Sequence, residues 1–368
     1  MTSKIERVII SGGGTGGHIF PAIAIADEIK RRNPQVDILF VGANGKMEME
    51  KVPESGYKII GLNIAGFQRR LTLSNFLLPF KIIGSLLNAY LLIKKFNPQV
   101  VIGVGGYASG PTLQAANFLK IPTLIQEQNS FPGKTNKILS KKVKTICTAY
   151  DGLERFFPGD KIVVTGNPVR SAMVDIEKKT KEAFEFYELD PSKKTILIIG
   201  GSLGARTLNE SAKDHIKTLQ DSNVQLLWQC GKSYFQVLTA EFATTDLKGI
   251  KMVQFIARMD LAYALADVII SRAGAISVSE LCLVKKPVIL VPSPNVSEDH
   301  QTKNAMALVS KNAAVLVKDS EAREKLMPTA IQIINSSEEQ KKLIEEITKL
   351  GKPMATISIV DEIEKIVR

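Results

Sequence analysis

One arrangement occurs twice in this chain: a short β-branched run, a glycine-rich loop and then a helical segment. The first copy opens at Ile9–Gly14 (IISGGG) and the second at Ile198–Gly204 (IIGGSLG). Glycine lets the backbone turn sharply between a strand and a helix, and the helix that follows presents unpaired N–H groups at its start. The repetition therefore predicts two similar α/β halves, each with a glycine loop suited to an anionic ligand.

Apolar runs and helical segments alternate through both halves, which is typical of βαβ units and parallel sheets covered on both faces. We predict strands at 8–10, 38–41, 100–104, 123–125, 145–148 and 162–165, and then at 195–199, 224–228, 251–254, 268–270, 288–291 and 314–317. The fold class is α/β, with two doubly wound Rossmann-like domains whose parallel sheets face each other across a cleft. Ligands in such sheets bind outside the carboxyl ends of the strands.

The length of 368 residues suits two domains. A charged stretch, Glu177–Lys194, separates the two series of strands, and we place the linker within residues 166–194. The expected domains are 1–166 and 167–354. The last segment, about 355–368, carries apolar residues at helical spacing, and we expect it to pack back on the first domain.

The net charge of +11 is concentrated in the first half of the chain. Residues 1–166 contain 21 Lys and Arg against 11 Asp and Glu, whereas the remainder contains 27 against 26. Such asymmetry indicates an anionic partner, either nucleic acid or a membrane surface. The basic segment lacks the aromatic signature of an RNA-binding sheet and any zinc-finger spacing, so we expect no nucleic acid.

The most apolar stretch, Phe76–Ile93, has 18 residues, close to the ~20 that span a bilayer. Pro79 and Lys81 interrupt it, so we do not expect it to span. It is either a buried core helix or an interfacial patch that combines apolar contact with attraction to anionic lipid. The residues expected at the membrane are Phe76, Leu77, Phe80, Lys81, Lys94 and Lys95, with Phe118 and Lys120 as a possible extension.

Three cysteines lie far apart in the sequence, which fits a reducing cytoplasm, and the N-terminal residues do not have the pattern of a signal peptide. Neither Asp-x-Asp nor a His/Cys cluster at ligand spacing occurs, so we expect no metal site.

The first glycine loop also satisfies G-x-G-x-x-G through Gly12, Gly14 and Gly17. In a dinucleotide-binding domain, an acid should end the second strand, but that strand ends at Gly42, and Asp37 begins it. We therefore expect neither NAD nor another cofactor. Glycines that merely serve tight turns remain an alternative for any single loop.

Several motifs, in chain order, resemble the MurG family of N-acetylglucosaminyltransferases. They are GGGTGGHIFP from Gly12, GVGGYASGP from Gly103, EQN from Glu127, GNPVR from Gly166, GGSLGAR from Gly200, SRAGAISVSE from Ser271 and the segment 301–304. The resemblance implies a GT-B fold and inverting transfer of N-acetylglucosamine from UDP-N-acetylglucosamine to lipid I, which gives lipid II in peptidoglycan synthesis. It also implies a peripheral protein on the cytoplasmic face of the inner membrane, with other cell-wall synthesis and division proteins as further partners.

The resemblance assigns roles residue by residue. Ile256 would present backbone groups to uracil, Glu280 would bind the ribose, Ser202 the diphosphate, and Gln301 with Asn129 the sugar hydroxyls. The full donor set is Thr15, Gly16, Gly17, Asn129, Arg170, Ser202, Ile256, Ala275, Ile276, Ser277, Val278, Ser279, Glu280 and Gln301. The acceptor set is Gly13, Gly14, Gly105, Gly106 and Tyr107. The chain departs from the family pattern at His300, where relatives often have a second glutamine.

An inverting displacement needs one base to take the proton of the acceptor hydroxyl. His18 is the first candidate, because histidine titrates near neutral pH. It could instead contact ligand oxygens or cap the helix. Glu127 is the second candidate, with a salt-bridged structural carboxylate as the alternative. Glu280 could merely complete a helix-start capping pattern with Ser277 instead of binding ribose.

Two other functions remain open from the sequence. One is a different nucleotide-sugar enzyme, either a glycolipid hexosyltransferase or a UDP-N-acetylglucosamine 2-epimerase. The other is a non-enzymatic GT-B-like scaffold. An epimerase needs no membrane face, and a scaffold would not release UDP.

Overall fold

A computed structural model describes residues 5–64, 78–169, 176, 180–296 and 299–367, with the side chains of 78–82 left undescribed. The chain divides into two compact units. The N-terminal unit is Met1–Val169 together with Lys352–Arg368, and the C-terminal unit is Arg170–Gly351.

The N-terminal unit contains a seven-stranded sheet in the order β3-β2-β1-β4-β5-β6-β7. All of its strand pairs are parallel. The strands are β1 Arg7–Ser11, β2 Asp37–Ala43, β3 Lys58–Leu62, β4 Val100–Gly103, β5 Thr123–Glu127, β6 Thr145–Thr148 and β7 Ile162–Val164. Its first helices are α1 Gly16–Arg32, α2 Glu48–Glu54, α3 Leu78–Phe96, α4 Ser109–Phe118 and α5 Lys134–Leu139.

The C-terminal unit repeats the plan with six parallel strands in the order β10-β9-β8-β11-β12-β13. The strands are β8 Lys194–Ile199, β9 Val224–Gln229, β10 Ile250–Val253, β11 Val268–Ser271, β12 Val288–Leu290 and β13 Val315–Leu316. The helices are α6 Thr180–Tyr187, α7 Arg206–Asp214, α8 Ile216–Asp221, α9 Lys232–Glu241, α10 Met259–Leu265, α11 Ala275–Val284, α12 His300–Val309, α13 Ala322–Asn335 and α14 Ser337–Thr348. The prediction of two doubly wound parallel sheets is confirmed.

The last helix, α15 Ala355–Val367, packs against α1 in the N-terminal unit. Its residues Ile359 and Ile363 are fully buried in the same cluster as Ile10 of β1. At the end of α1, Arg32 forms ion pairs with Asp361 at 2.7 Å and with Glu364 at 3.2 Å. The helix thus covers one face of the first sheet.

Alternating side chains place the apolar core on both faces of that sheet. Ile10 belongs to the cluster under α1 and α15, whereas its neighbour Ile9 belongs to the cluster that includes Ile93 of α3 and Leu113 of α4. Burial on both faces is why the central strands read as continuous apolar runs.

One strand was not predicted. The edge strand β3 alternates between exposed and partly buried residues, and Gly61 interrupts it. Among the residues that the structure describes, it pairs only with β2, and it therefore lacks the apolar run by which a central strand is recognised.

We predict that Ile363→Ala destabilises the N-terminal unit by about 2–5 kcal/mol, because it leaves a cavity between α15 and the sheet. The matched control is Ile347→Ala, at a fully buried position of α14 in the other unit. The single tryptophan, Trp228, lies in the C-terminal unit, so its fluorescence follows the unfolding of that unit only. In urea unfolding, we expect the loss of stability of Ile363→Ala mainly in the circular dichroism signal. The loss of stability of Ile347→Ala should appear in both circular dichroism and fluorescence. An early fluorescence transition in Ile363→Ala would contradict the assignment of α15.

Candidate functional site

The glycine loops follow the central strand pair of each sheet. In the first sheet the chain runs outward from β1 to β3 and returns on the other side of β1 as β4; β8 and β11 have the same relation in the second. The crevice outside the carboxyl ends of such a pair is where open α/β sheets bind ligands. The loops 12–15 and 104–108 lie at this point in the N-terminal unit, and the loops 200–205 and 272–274 in the other.

The two N-terminal loops meet backbone to backbone. A Cβ atom on Gly106, whose φ is +88°, would lie 2.5 Å from the carbonyl oxygen of Gly13. A Cβ atom on Gly105 would lie 2.8 Å from Nε2 of His18. Only glycine fits at both positions, so these residues bring the second loop against the histidine.

His18 lies in the first turn of α1, where its ring contacts its own loop. Its Nδ1 is 3.0 Å from the carbonyl oxygen of Gly13 and 3.3 Å from Oγ1 of Thr15. A carbonyl only accepts, so a hydrogen bond from the ring to Gly13 requires the tautomer of the neutral ring with the proton on Nδ1. In that tautomer Nε2 is the proton-accepting atom.

Glu127 ends β5 and is buried, with 1% of its surface exposed. Its oxygens accept hydrogen bonds from the N–H groups of Asn129 and Gly133 and from the side-chain amides of Asn129 and Asn136, at 2.8–3.2 Å. Burial raises the pKa of Glu127, although these hydrogen bonds oppose the increase. This environment favours the structural alternative, with hydrogen bonds in place of the expected salt bridge.

The bond to Glu127 also fixes the side chain of Asn129. Its Nδ2 donates to Oε1 of Glu127 at 3.1 Å, which fixes the orientation of the amide. The loop that holds a predicted sugar contact is therefore built on the buried carboxylate.

In the C-terminal unit, α11 begins at Ala275 with Gly274 as its N-cap. The N–H of Val278 makes the first helical bond, to the carbonyl of Gly274 at 2.9 Å. The N–H groups of the first turn therefore point out of the helix start, where the dipole favours an anion. Glu280 lies beyond that turn, so the capping alternative for Glu280 is wrong.

Gln301, in the first turn of α12, is held by the main chain. Its Oε1 accepts from the N–H of Ser293 at 2.9 Å and of Ala273 at 3.2 Å. Since both partners are donors, the oxygen assignment is fixed and Nε2 is the group that can donate to a ligand.

The remaining predicted donor residues differ in exposure. Ser202 is exposed beside Leu203, whereas Ile256 and Val278 are buried. Tyr107 is half exposed. Arg170, Phe76 and Leu77 lie outside the described residues, and so do the side chains of Phe80 and Lys81.

One residue of the site was not predicted. Glu48, at the start of α2, is 1% exposed, and its oxygens accept hydrogen bonds from the N–H groups of Gly14 at 2.8 Å and of Ala43 at 3.0 Å. In the sequence, Glu48 is marked only by its position as an acid shortly after the second predicted strand.

The stretch that was expected to be either a core helix or an interfacial patch has an exposed apolar face on α3, which we call the α3 face. Its residues Ile83, Leu86, Leu87 and Leu91 are 39–64% exposed, while Ile93 is buried. Phe118, at the end of the adjoining α4, is 85% exposed.

In the part of the chain that the structure describes, no helix is both long and apolar enough to cross a membrane. The described residues also contain no group of three or more His, Cys, Asp or Glu side chains that could hold a metal ion.

Two family models match the chain: the glycosyltransferase family 28 N-terminal domain over residues 8–148 and the C-terminal domain over residues 195–359. Two similar curated proteins are the UDP-N-acetylglucosamine--N-acetylmuramyl-(pentapeptide) pyrophosphoryl-undecaprenol N-acetylglucosamine transferases of Flavobacterium psychrophilum and Cytophaga hutchinsonii. The first is 53% identical, with 98% of each chain covered. The second is 54% identical, with 99% of this chain and 98% of that protein covered.

Two similar solved structures cover nearly the full length of the chain. Acinetobacter baumannii MurG has a TM-score of 0.78 and 30% identity, with 98% of this chain and 99% of that chain covered. A UDP-GlcNAc 2-epimerase from Neisseria meningitidis has a TM-score of 0.68 and 16% identity, with 98% and 100% covered. The second likeness is one of fold alone.

We predict that Glu127→Ala destabilises the N-terminal unit by about 2–4 kcal/mol, because the partly buried N–H groups of Asn129 and Gly133 and the buried side-chain amide of Asn136 lose their acceptor. Trypsin should also cleave faster after Lys134, next to the loosened loop. Urea unfolding and timed proteolysis measure both effects. Glu154→Ala, at an exposed position of the same unit, is the control and should behave as wild type. A Glu127→Ala protein as stable as this control would disprove the structural role.

Proposed function

This chain belongs to glycosyltransferase family 28, and we infer that it transfers N-acetylglucosamine from UDP-N-acetylglucosamine to the muramyl sugar of undecaprenyl-pyrophosphoryl-MurNAc-pentapeptide. The reaction converts lipid I to lipid II in peptidoglycan synthesis, which makes the chain a hexosyltransferase. The observation that carries this conclusion is 52–54% identity to transferases of that name over nearly the full length of both chains. The epimerase likeness, at 16% identity, extends only to the fold.

We propose that the C-terminal unit binds the donor at its central strand pair. The first turn of α11, at Ala275 and Ile276, receives the diphosphate, and Glu280 accepts hydrogen bonds from the ribose hydroxyls. Gln301 uses Nε2 to donate to the sugar hydroxyls, since its oxygen is bound to Ser293 and Ala273. Main-chain N–H groups at a helix start stabilise the negative charge that grows on UDP as the bond to C1 breaks.

The N-terminal unit binds the acceptor at the loops after β1 and β4, along Gly13, Gly14, Gly105, Gly106 and Tyr107. As the acceptor hydroxyl attacks C1, its O–H bond breaks and Nε2 of His18 takes the proton. The bond from C1 to the diphosphate oxygen breaks on the opposite side, which inverts the configuration. The tautomer fixed by the contact between Nδ1 and Gly13 is the one that this step needs.

The α3 face attaches the enzyme to the cytoplasmic side of the inner membrane without a spanning helix. Its apolar side chains enter the interface, and Lys94 and Lys95, both exposed at the end of α3, attract anionic lipid. Such attachment gives access to a substrate that is itself anchored in the membrane. Other cell-wall synthesis and division proteins are further partners in this proposal.

To test the function, UDP release is measured with UDP-N-acetylglucosamine and the lipid acceptor in detergent. We expect release only when the acceptor is present. In Glu280→Ala, the KM for the donor should rise roughly 10- to 100-fold, because a charge-assisted hydrogen bond contributes about 1.5–3 kcal/mol.

The control for this assay is Glu345→Ala, which removes an exposed glutamate of the same unit and should leave KM unchanged. Formation of the 2-epimer from donor alone would indicate an epimerase, and a wild-type protein that releases no UDP would indicate a scaffold. An unaltered donor KM in Glu280→Ala would refute the ribose assignment.

For the membrane, we predict that Leu87→Asp/Leu91→Asp lowers binding to anionic phospholipid vesicles at least about tenfold, since two apolar contacts are lost and two negative charges are added. Co-sedimentation measures binding. Val237→Asp is the control, at a 66% exposed apolar position of the C-terminal unit. Equal loss of binding in both variants would show that the α3 face is not the attachment surface.

A further inference from the structure

We propose that Glu48 is a positioning residue for His18, acting through the single peptide group that joins Gly13 to Gly14. The proposal rests on the proposed function in one respect, namely that His18 is the base of the transfer reaction.

The geometry is a relay of two hydrogen bonds on opposite ends of one peptide. The N–H of Gly14 donates to Oε2 of Glu48 at 2.8 Å. The carbonyl of Gly13, in the same peptide group, accepts from Nδ1 of His18 at 3.0 Å. Carboxylate, peptide and imidazole are therefore connected in series, as the carboxylate and imidazole of a catalytic triad are connected directly.

The position of the carboxylate is fixed by the surrounding main chain. Glu48 is 1% exposed, and its second oxygen accepts the N–H of Ala43 at 3.0 Å. A Cβ atom on Gly13 would lie 2.2 Å from Cδ of Glu48, and one on Gly42 would lie 2.6 Å from its Cγ. Two glycines thus leave the space in which the carboxylate lies.

Glu48 acts on the peptide through the hydrogen bond that it accepts from the N–H of Gly14. None of the ion pairs found among the described residues includes Glu48. A hydrogen bond to an ionised acceptor is stronger than a neutral one, and hydrogen bonds in series polarise one another by about 10–30% per bond. The carbonyl of Gly13 becomes a better acceptor, which holds the proton on Nδ1.

The relay affects the reaction at the step in which His18 takes the proton of the acceptor hydroxyl. When Nε2 takes the proton of the acceptor hydroxyl, the ring becomes a cation with its Nδ1–H on the carbonyl of Gly13. The polarised carbonyl stabilises that cation. Glu48 is 1% exposed and therefore closed to a substrate, so its effect is expected in the rate and not in donor binding.

The test uses the full-length enzyme labelled with ¹⁵N in its three histidines. Long-range ¹H–¹⁵N spectra identify which ring nitrogen carries the proton, and His18→Ala identifies the His18 signals. We expect wild type to be protonated at Nδ1. In Glu48→Gln, one of the two carboxylate oxygens becomes an NH₂ group, which cannot accept a hydrogen bond from a main-chain N–H. We therefore expect the Nε2–H tautomer of His18 to appear in this variant. Its kcat should fall roughly 10- to 100-fold, while its KM for UDP-N-acetylglucosamine stays unchanged.

The control is Glu28→Gln, which removes a buried carboxylate at the other end of α1, where it binds Arg31 and Arg32. Its His18 tautomer and kcat should match wild type. Circular dichroism checks folding, and Glu48→Asp, too short to reach Gly14, replaces Glu48→Gln if that variant does not fold.

Two results would overturn the proposal. One is a wild-type His18 protonated at Nε2, which needs no variant. The other is a folded Glu48 variant that keeps both tautomer and kcat. If wild type releases no UDP with the lipid acceptor, the proposed function fails. The comparison of the His18 tautomer between wild type and the Glu48 variant still tests whether Glu48 positions His18.

Discussion

Within each unit, two glycine turns pack main chain directly against main chain, and the candidate functional site depends on this packing. In the N-terminal unit Gly106 lies against Gly13; in the C-terminal unit a Cβ atom on Gly231 would lie 2.1 Å from the nitrogen of Gly204. No side chain fits between these segments, so the turns hold each other in place. The close approach leaves helix starts and loop carbonyls at the crevice as fixed dipoles, which is the arrangement that stabilises developing charge without reorganisation.

Buried carboxylates complete this main-chain framework. Glu48 binds two N–H groups near the first glycine loop, and Glu127 binds the segment that carries Asn129. Both are 1% exposed. For Glu127, burial outweighs its hydrogen bonds and raises the pKa. A carboxylate in such a position is costly unless donors surround it, so each one specifies a single loop conformation.

The two units use one architecture for different chemistry. In our proposal the C-terminal unit contributes the helix start at α11 and the donating amide of Gln301, which suit a diphosphate and sugar hydroxyls. The N-terminal unit contributes an imidazole with a fixed tautomer and the α3 face. The division follows the substrates, since one is a soluble nucleotide sugar and the other is anchored in a membrane.

The sequence by itself determined the two parallel sheets and the four glycine loops, because these follow from local patterns: apolar runs, glycine spacing and helical segments. It did not reveal the edge strand β3, whose half-exposed residues lack such a run. It also left the roles of Glu127 and Glu280 open. Only tertiary structure brought Glu48 to Gly14, 34 positions away, and bound the oxygen of Gln301 to Ala273, 28 positions away. These contacts join segments that are distant in sequence, and a hydrogen bond between such segments depends on how the sheets and loops pack, which no local pattern encodes.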